Sequence, residues 1–124
     1  MPSYSIAITA LAVNAPTKWI DNAVSQNTAE GVMSVRRGVP RRVSRAGLLL
    51  LALARELHVE LGLGVADALA KAASLLEARE STLQFGHLSI SFDIEALQRD
   101  VSRRVADALE SAPVPRRGRP RREK

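Results

Sequence analysis

Residues 4–45 read YSIAITALAVNAPTKWIDNAVSQNTAEGVMSVRRGVPRRVSR, and the fold turns on how this stretch is parsed. Its first ten residues are small and largely apolar, and Asn14-Ala15-Pro16 then breaks the run. Asparagine suits a cap and proline a first helical turn, so a second short helix is expected to begin there. Across residues 17–26, Ile20, Ala23 and Val24 fall on one side with Trp19 at its edge, which leaves Lys18, Asp21, Asn22, Ser25 and Gln26 for the outer side. Two short helices around a tight turn have the outline of a helix-turn-helix, and equally that of an ordinary helical hairpin with a polar surface. Residues 32–35 are β-prone, Arg36-Arg37-Gly38-Val39-Pro40 is a turn, and residues 41–43 can return as a second strand. That makes an arginine-tipped hairpin of the kind a winged helix uses to grip phosphates; the plainer reading is a charged, flexible loop.

Downstream, Ser44 is placed to cap a helix whose segment 48–54, LLLLALA, is apolar on every side and must be buried on most of its circumference. Gly62 and Gly64 end it. Val65, Leu69, Ala72 and Leu76 then recur at spacings of four, three and four along a second amphipathic helix expected to pack on the first. Leu83, Phe85, Leu88, Ile90 and Phe92 alternate with Thr82, Gln84, Ser89 and Ser91 around Gly86-His87. A two-residue turn there pairs Phe85 with Leu88 and Leu83 with Ile90, so that the apolar side chains share one face. Asp93 can cap a last helix over residues 94–111, striped by Ile94, Leu97, Val101, Val105, Ala108 and Leu109 opposite Arg99, Arg103 and Arg104. The hairpin face must pack on the helices or on a second subunit, and the stripe fits a homodimer through this helix and hairpin, with Leu97, Val101, Val105 and Leu109 in the seam, as well as packing inside the monomer.

The expected fold is therefore mainly α: a winged helix-turn-helix with an added β-hairpin and C-terminal helix. Residues 1–112 form one domain, with helix-turn-helix and wing over 4–45, core helices over 45–79, and hairpin plus dimerisation helix over 82–111. A disordered basic tail follows over residues 113–124, where no apolar residue lies beyond Val114. Composition agrees, since 124 residues at 46% hydrophobic can bury one real core, and 3% aromatics leave it to be built from leucine, alanine, valine and isoleucine. The chain has no cysteine, which removes disulfides, thiolate metal sites and thiol nucleophiles and suits a reducing cytoplasm. The early apolar stretch has no basic residue before Lys18, unlike a signal sequence, and the leucine run ends at Arg55, short of the ~20 residues a membrane span needs.

Charge is segregated. Arg36, Arg37, Arg41, Arg42 and Arg45 lie within ten residues that hold no carboxylate, and residues 116–124 hold six basic groups against Glu123. The remainder, with seven basic and twelve acidic residues, is net −5. Such arginine-rich surfaces on an acidic body point to double-stranded DNA or another nucleic-acid backbone as partner, because each neutralised phosphate releases counterions. Within the tail, Arg117-Gly118-Arg119-Pro120 resembles the core of an AT-hook, whose arginines enter the narrow minor groove of A·T-rich DNA where negative potential concentrates. A generic phosphate-binding tail would carry the same residues.

The order of elements, with Tyr4-Ser5-Ile6 opening a short helix, Lys18-Trp19-Ile20 on a second, the arginine-tipped hairpin and the long helix from near Arg45, resembles MerR-like winged helix-turn-helix regulators over residues 4–77. The resemblance implies that Lys18, Asn22, Ser25 and Gln26 face the major groove and that Arg36, Arg37, Arg41 and Arg42 contact phosphates; Arg45, in the same charge block, is expected to bind phosphate with them. The hairpin near residues 82–92 stands where that family carries a coiled coil or effector domain. No enzyme motif is present: His58 and His87 are the only acid–base groups titrating near neutrality, and neither sits in a nucleophile, metal or nucleotide pattern. No cofactor or metal is expected. The function expected is a cytoplasmic, dimeric DNA-binding regulator, a repressor autoregulating a small operon. Its rival is a protein-interaction module, such as an antitoxin body binding a toxin, or an RNA-binding accessory protein.

Overall fold

A computed structural model describes residues 3–26, 32–33 and 42–111 of the chain. Its elements run β1 (Ser3–Tyr4), α1 (Ile6–Val13), α2 (Thr17–Gln26), β2 (Val32–Met33), β3 (Arg42–Ser44), α3 (Arg45–Leu61), α4 (Val65–Ala78), β4 (Thr82–Phe85), β5 (Leu88–Ser91) and α5 (Ile94–Ser111). The fold is mainly α, with an added hairpin and a C-terminal helix, as the periodicities require.

Helices α1, α3 and α5 begin at side-chain caps. The Ser5 hydroxyl accepts from the Ile8 N–H at 3.2 Å, Ser44 from Gly47 at 3.1 Å, and the Asp93 carboxylate from Ala96 at 3.0 Å, each satisfying a first-turn donor that the helix leaves unpaired. Asn14 departs from expectation. It ends α1 in the left-handed region (φ 63°), with its own N–H reaching Leu11 O and the Ala15 N–H reaching Ala10 O, rather than capping α2. Asparagine is the side chain that tolerates this conformation best after glycine. Gly62 ends α3 in the same way at φ 74°.

The central helix is α3, in which Leu48, Leu50, Leu51, Leu53 and Leu57 are all buried. Each contributes about 2 kcal/mol relative to exposure. Helices α4 and α1 pack on α3, and α5 lies across α1 and α3. One core gathers buried residues from α1, α2, β3, α3, α4 and α5.

Two small sheets flank the helices. In the first, β3 is central, pairing antiparallel with β1 (Ser3 to Ser44, Tyr4 to Val43) and with β2 (Val32 to Val43, Met33 to Arg42). Val43 is fully buried and pins this sheet to the core. Strand β1 was not expected; two residues carry no periodicity to read. The second sheet is the β4–β5 hairpin in the expected register, Phe85 to Leu88 and Leu83 to Ile90, turning at Gly86 with φ 59°.

The stripe on α5 is used inside the chain. Val101 and Val105 are 3% and 4% exposed and belong to the core, Leu97 packs against it, and only Leu109, at 58%, stands open. The dimer seam expected along α5 is corrected accordingly: its two central valines are occupied by α1 and α3 of the same molecule. The expected tail lies outside the described residues.

Candidate nucleic-acid interface

Helix α2 is amphipathic in the simplest sense. Ile20 and Ala23 are buried, while Lys18, Asn22 and Ser25, spaced four and three residues apart, are exposed along one side with Asp21 beside them. The Ser25 hydroxyl lies 3.5 Å from the Asn22 backbone carbonyl, a weak back-bond that does not engage the Asn22 side-chain amide. That outer face offers an ammonium, a carboxamide and a hydroxyl, the groups that can donate to and accept from base edges. Of Gln26 the structure describes only its place at the end of α2.

The orientation of this face is fixed from behind. Trp19 is half-buried; the Arg55 guanidinium carbon lies 5.0 Å from the centre of its ring, and the His58 ring is 5.8 Å away at an interplanar angle of 40°. His58 in turn makes a 2.7 Å hydrogen bond through Nδ1 to the Leu63 carbonyl in the α3–α4 connection. Arg55 and His58 are three residues apart on α3, so they present together. Their role was not read from sequence; the available signal was the single tryptophan of a chain with few aromatics, set opposite an Arg/His pair. The Trp19 Nε1–H is buried and finds no hydrogen-bond partner among the described residues.

In the sheet that follows α2, β2 and β3 pair antiparallel as a hairpin over residues 32–43 requires, and the expected arginine-bearing tip lies outside the described residues. Arg42 is exposed on β3, and its Nε donates to Ser3 Oγ at 3.1 Å while Nη2 donates to the Ser3 carbonyl at 2.8 Å, so it straps β1 to β3. Arg45, the first residue of α3, donates instead to the Ser102 hydroxyl on α5. Arg104 on α5 donates from Nη1 to the Ala12 carbonyl at 3.0 Å, setting a cation against the C-terminal end of α1. Arg36, Arg37 and Arg41 lie outside the described residues, as do Arg117, Gly118, Arg119 and Pro120. The structure thus brings Lys18, Asn22 and Ser25 together on α2, leaves Arg42 on β3 bound to Ser3 of β1, and ties Arg45 to α5.

Among the described residues no helix is long and apolar enough to cross a membrane. No protein-family model, curated protein or solved structure matches the chain.

Proposed function

We propose that this chain is a cytoplasmic, sequence-specific double-stranded DNA-binding regulator of the winged helix-turn-helix type, similar in plan to MerR-like proteins, acting as a repressor of its own small operon. Helix α2 is the reading helix and the arginine-rich β2–β3 connection the phosphate grip. The observation that carries this reading is α2 itself. Its inner side is held by Ile20 and Ala23 and clamped through Trp19 by Arg55 and His58, while Lys18, Asn22 and Ser25 stand together in solvent, and the next elements along the chain form a small sheet bearing Arg42. A carboxamide in that place suits adenine, and an ammonium suits guanine. Both hydrogen-bonding groups stand on a rigid element, which is what base discrimination asks of a protein.

The test is a fluorescence-anisotropy titration of the full chain against duplexes from its own upstream region. A Lys18→Ala/Asn22→Ala variant should lose about 5- to 100-fold at particular base-pair positions and so change its sequence preference. Tight binding with unaltered preference would remove α2 as the reading helix. If the chain ignores DNA altogether and binds a protein partner with undiminished affinity after the arginines are replaced, the interaction-module reading takes its place.

A further inference from the structure

The face of α3 turned away from α2 is not closed over. Ala46 and Leu49 line a groove of about 1000 Å³ between α3, the end of α4 and the start of α5, floored by Leu75, Leu76 and Phe92. A smaller hollow of about 300 Å³ adjoins it along Leu53 and Glu56. At 3.6 residues per turn these α3 positions lie roughly half a turn from Arg55 and His58, which hold Trp19. The groove therefore opens on the side opposite the reading helix.

Beside it stands the β4–β5 hairpin, whose apolar face is covered only at its base. Of Leu83, Phe85, Leu88 and Ile90, Leu83 alone packs against the core, and Leu88 at the turn is 60% exposed. Residues 82–91 contain no Lys, Arg, Asp, Glu or Pro, the residues with which open strand edges are ordinarily guarded. The Phe92 N–H donates to Ser81 O at 2.7 Å and continues the ladder, so Phe85–Leu88 and Leu83–Ile90 are the hydrogen-bonded pairs and the backbone groups of Thr82, Gln84, Ser89 and Ser91 point to the two edges. A two-stranded hairpin of this length is marginal until something covers it.

We infer that the occupant is a second copy of this chain: a two-fold dimer in which each hairpin seats its apolar face in the other's groove. Size favours this. The thirteen groove residues and the nine from Thr82 to Ile90 together match the about 20–30 residues a side of a standard stable interface, whereas a small molecule in the groove would leave the hairpin bare. Charge disfavours nucleic acid here, because Glu80, Asp93 and Glu95 stand on the groove's margin against Arg79, while the hairpin contains no Lys, Arg, Asp or Glu. Groove and hairpin lie on one molecule, so a two-fold axis uses both twice and closes without leaving either exposed. With the groove side of α3 occupied, both α2 helices remain outward. The inference stands whether or not the chain binds DNA.

Sedimentation velocity on the full chain without nucleic acid tests it, at concentrations from about 1 to 100 µM. The expected species has twice the chain's mass. Leu88→Lys, at a site already exposed in the single chain and so compatible with an unchanged circular-dichroism spectrum, should weaken association at least about 100-fold. A monomer at the highest concentration overturns the dimer. A dimer indifferent to Leu88→Lys overturns this interface.

Discussion

Replacing Val105 with alanine asks whether α5 belongs to the core of its own chain. Val105 is 4% exposed on the side of α5 that lies over α1 and α3. Removing its two outer methyl groups forfeits ~0.8 kcal/mol each, or about 1.6 kcal/mol of transfer free energy. The void left behind adds up to about 1 kcal/mol, depending on how far α1 relaxes into it. A loss of about 2 kcal/mol lowers a urea midpoint by about 1 to 2 M for a chain of this size. Leu109→Ala removes a larger but mostly exposed side chain and should cost under about 0.5 kcal/mol. The assay is urea unfolding followed by circular dichroism at two protein concentrations about a hundredfold apart. The Val105→Ala loss should be the same at both. The reasoning is refuted if Val105→Ala leaves the dilute protein as stable as before and only lowers its oligomer fraction, with Leu109→Ala doing the same, since that is how a seam between copies behaves.

If about eight phosphates are contacted, the logarithm of affinity should fall against the logarithm of salt with a slope of about −7, and replacing Arg36, Arg37, Arg41 and Arg42 with alanine should bring it to about −4. Removing residues 113–124 should weaken binding about equally on all duplexes if the tail is a generic phosphate binder, and only on A·T-rich ones if it is a hook; anisotropy on paired duplexes separates the two. Gly62→Ala should cost about 1 kcal/mol by urea unfolding, because nothing lies within 4 Å of the added carbon and the penalty is the positive φ alone, whereas Gly64→Ala, at φ −63° in equally open space, should be close to neutral. Trp19→Phe should change stability by less than about 1 kcal/mol, since the smaller ring loses packing but also removes a buried N–H without a partner; a loss above about 2 kcal/mol would show that Nε1 is satisfied after all.

Helices α3, α4 and α5 were legible because local and non-local signals agree. A leucine run apolar on all sides admits only a buried helix, and Ser44 and Gly62 mark its limits, as Asp93 marks the start of α5, with chemistry that acts over one turn. The β4–β5 register was legible for a similar reason: with a period of two and a glycine at the turn, a slip by one residue would scatter the apolar side chains over both faces. What could not be read depends on which element meets which. The stripe on α5 specifies a buried face but carries no information about whether the covering surface is α1 or another chain. Asn14 suits both a helix start and a left-handed helix end, and the choice between them is made by the hydrogen bonds to Leu11 and Ala10. The polar side of α2 was visible as a spacing, but its clamp was not, since the Trp19 contact joins residues almost forty positions apart through packing alone.

The arginines show most clearly why a charge count is not a site. In sequence, Arg36, Arg37, Arg41, Arg42 and Arg45 form one block, and a block invites the assumption of one job. Arg45 opens α3, whose axis directs it to α5, where it finds Ser102 57 residues on; Arg42 lies on the central strand and reaches sideways to Ser3. A guanidinium with five donors in a fixed fork can hold protein and phosphate at once, so Arg42, exposed on its strand, keeps a place in the proposed interface while also binding its sheet together. Arg45 is exposed too, but its bond to Ser102 turns it toward α5 rather than along the sheet. On the proposed reading the phosphate grip then centres on Arg36, Arg37, Arg41 and Arg42, and Arg45→Ala should act mainly through the α3–α5 contact, lowering stability slightly while leaving the salt slope of DNA binding where it was. A slope that changes as much for Arg45→Ala as for Arg42→Ala would return Arg45 to the interface and place the start of α3 against the duplex.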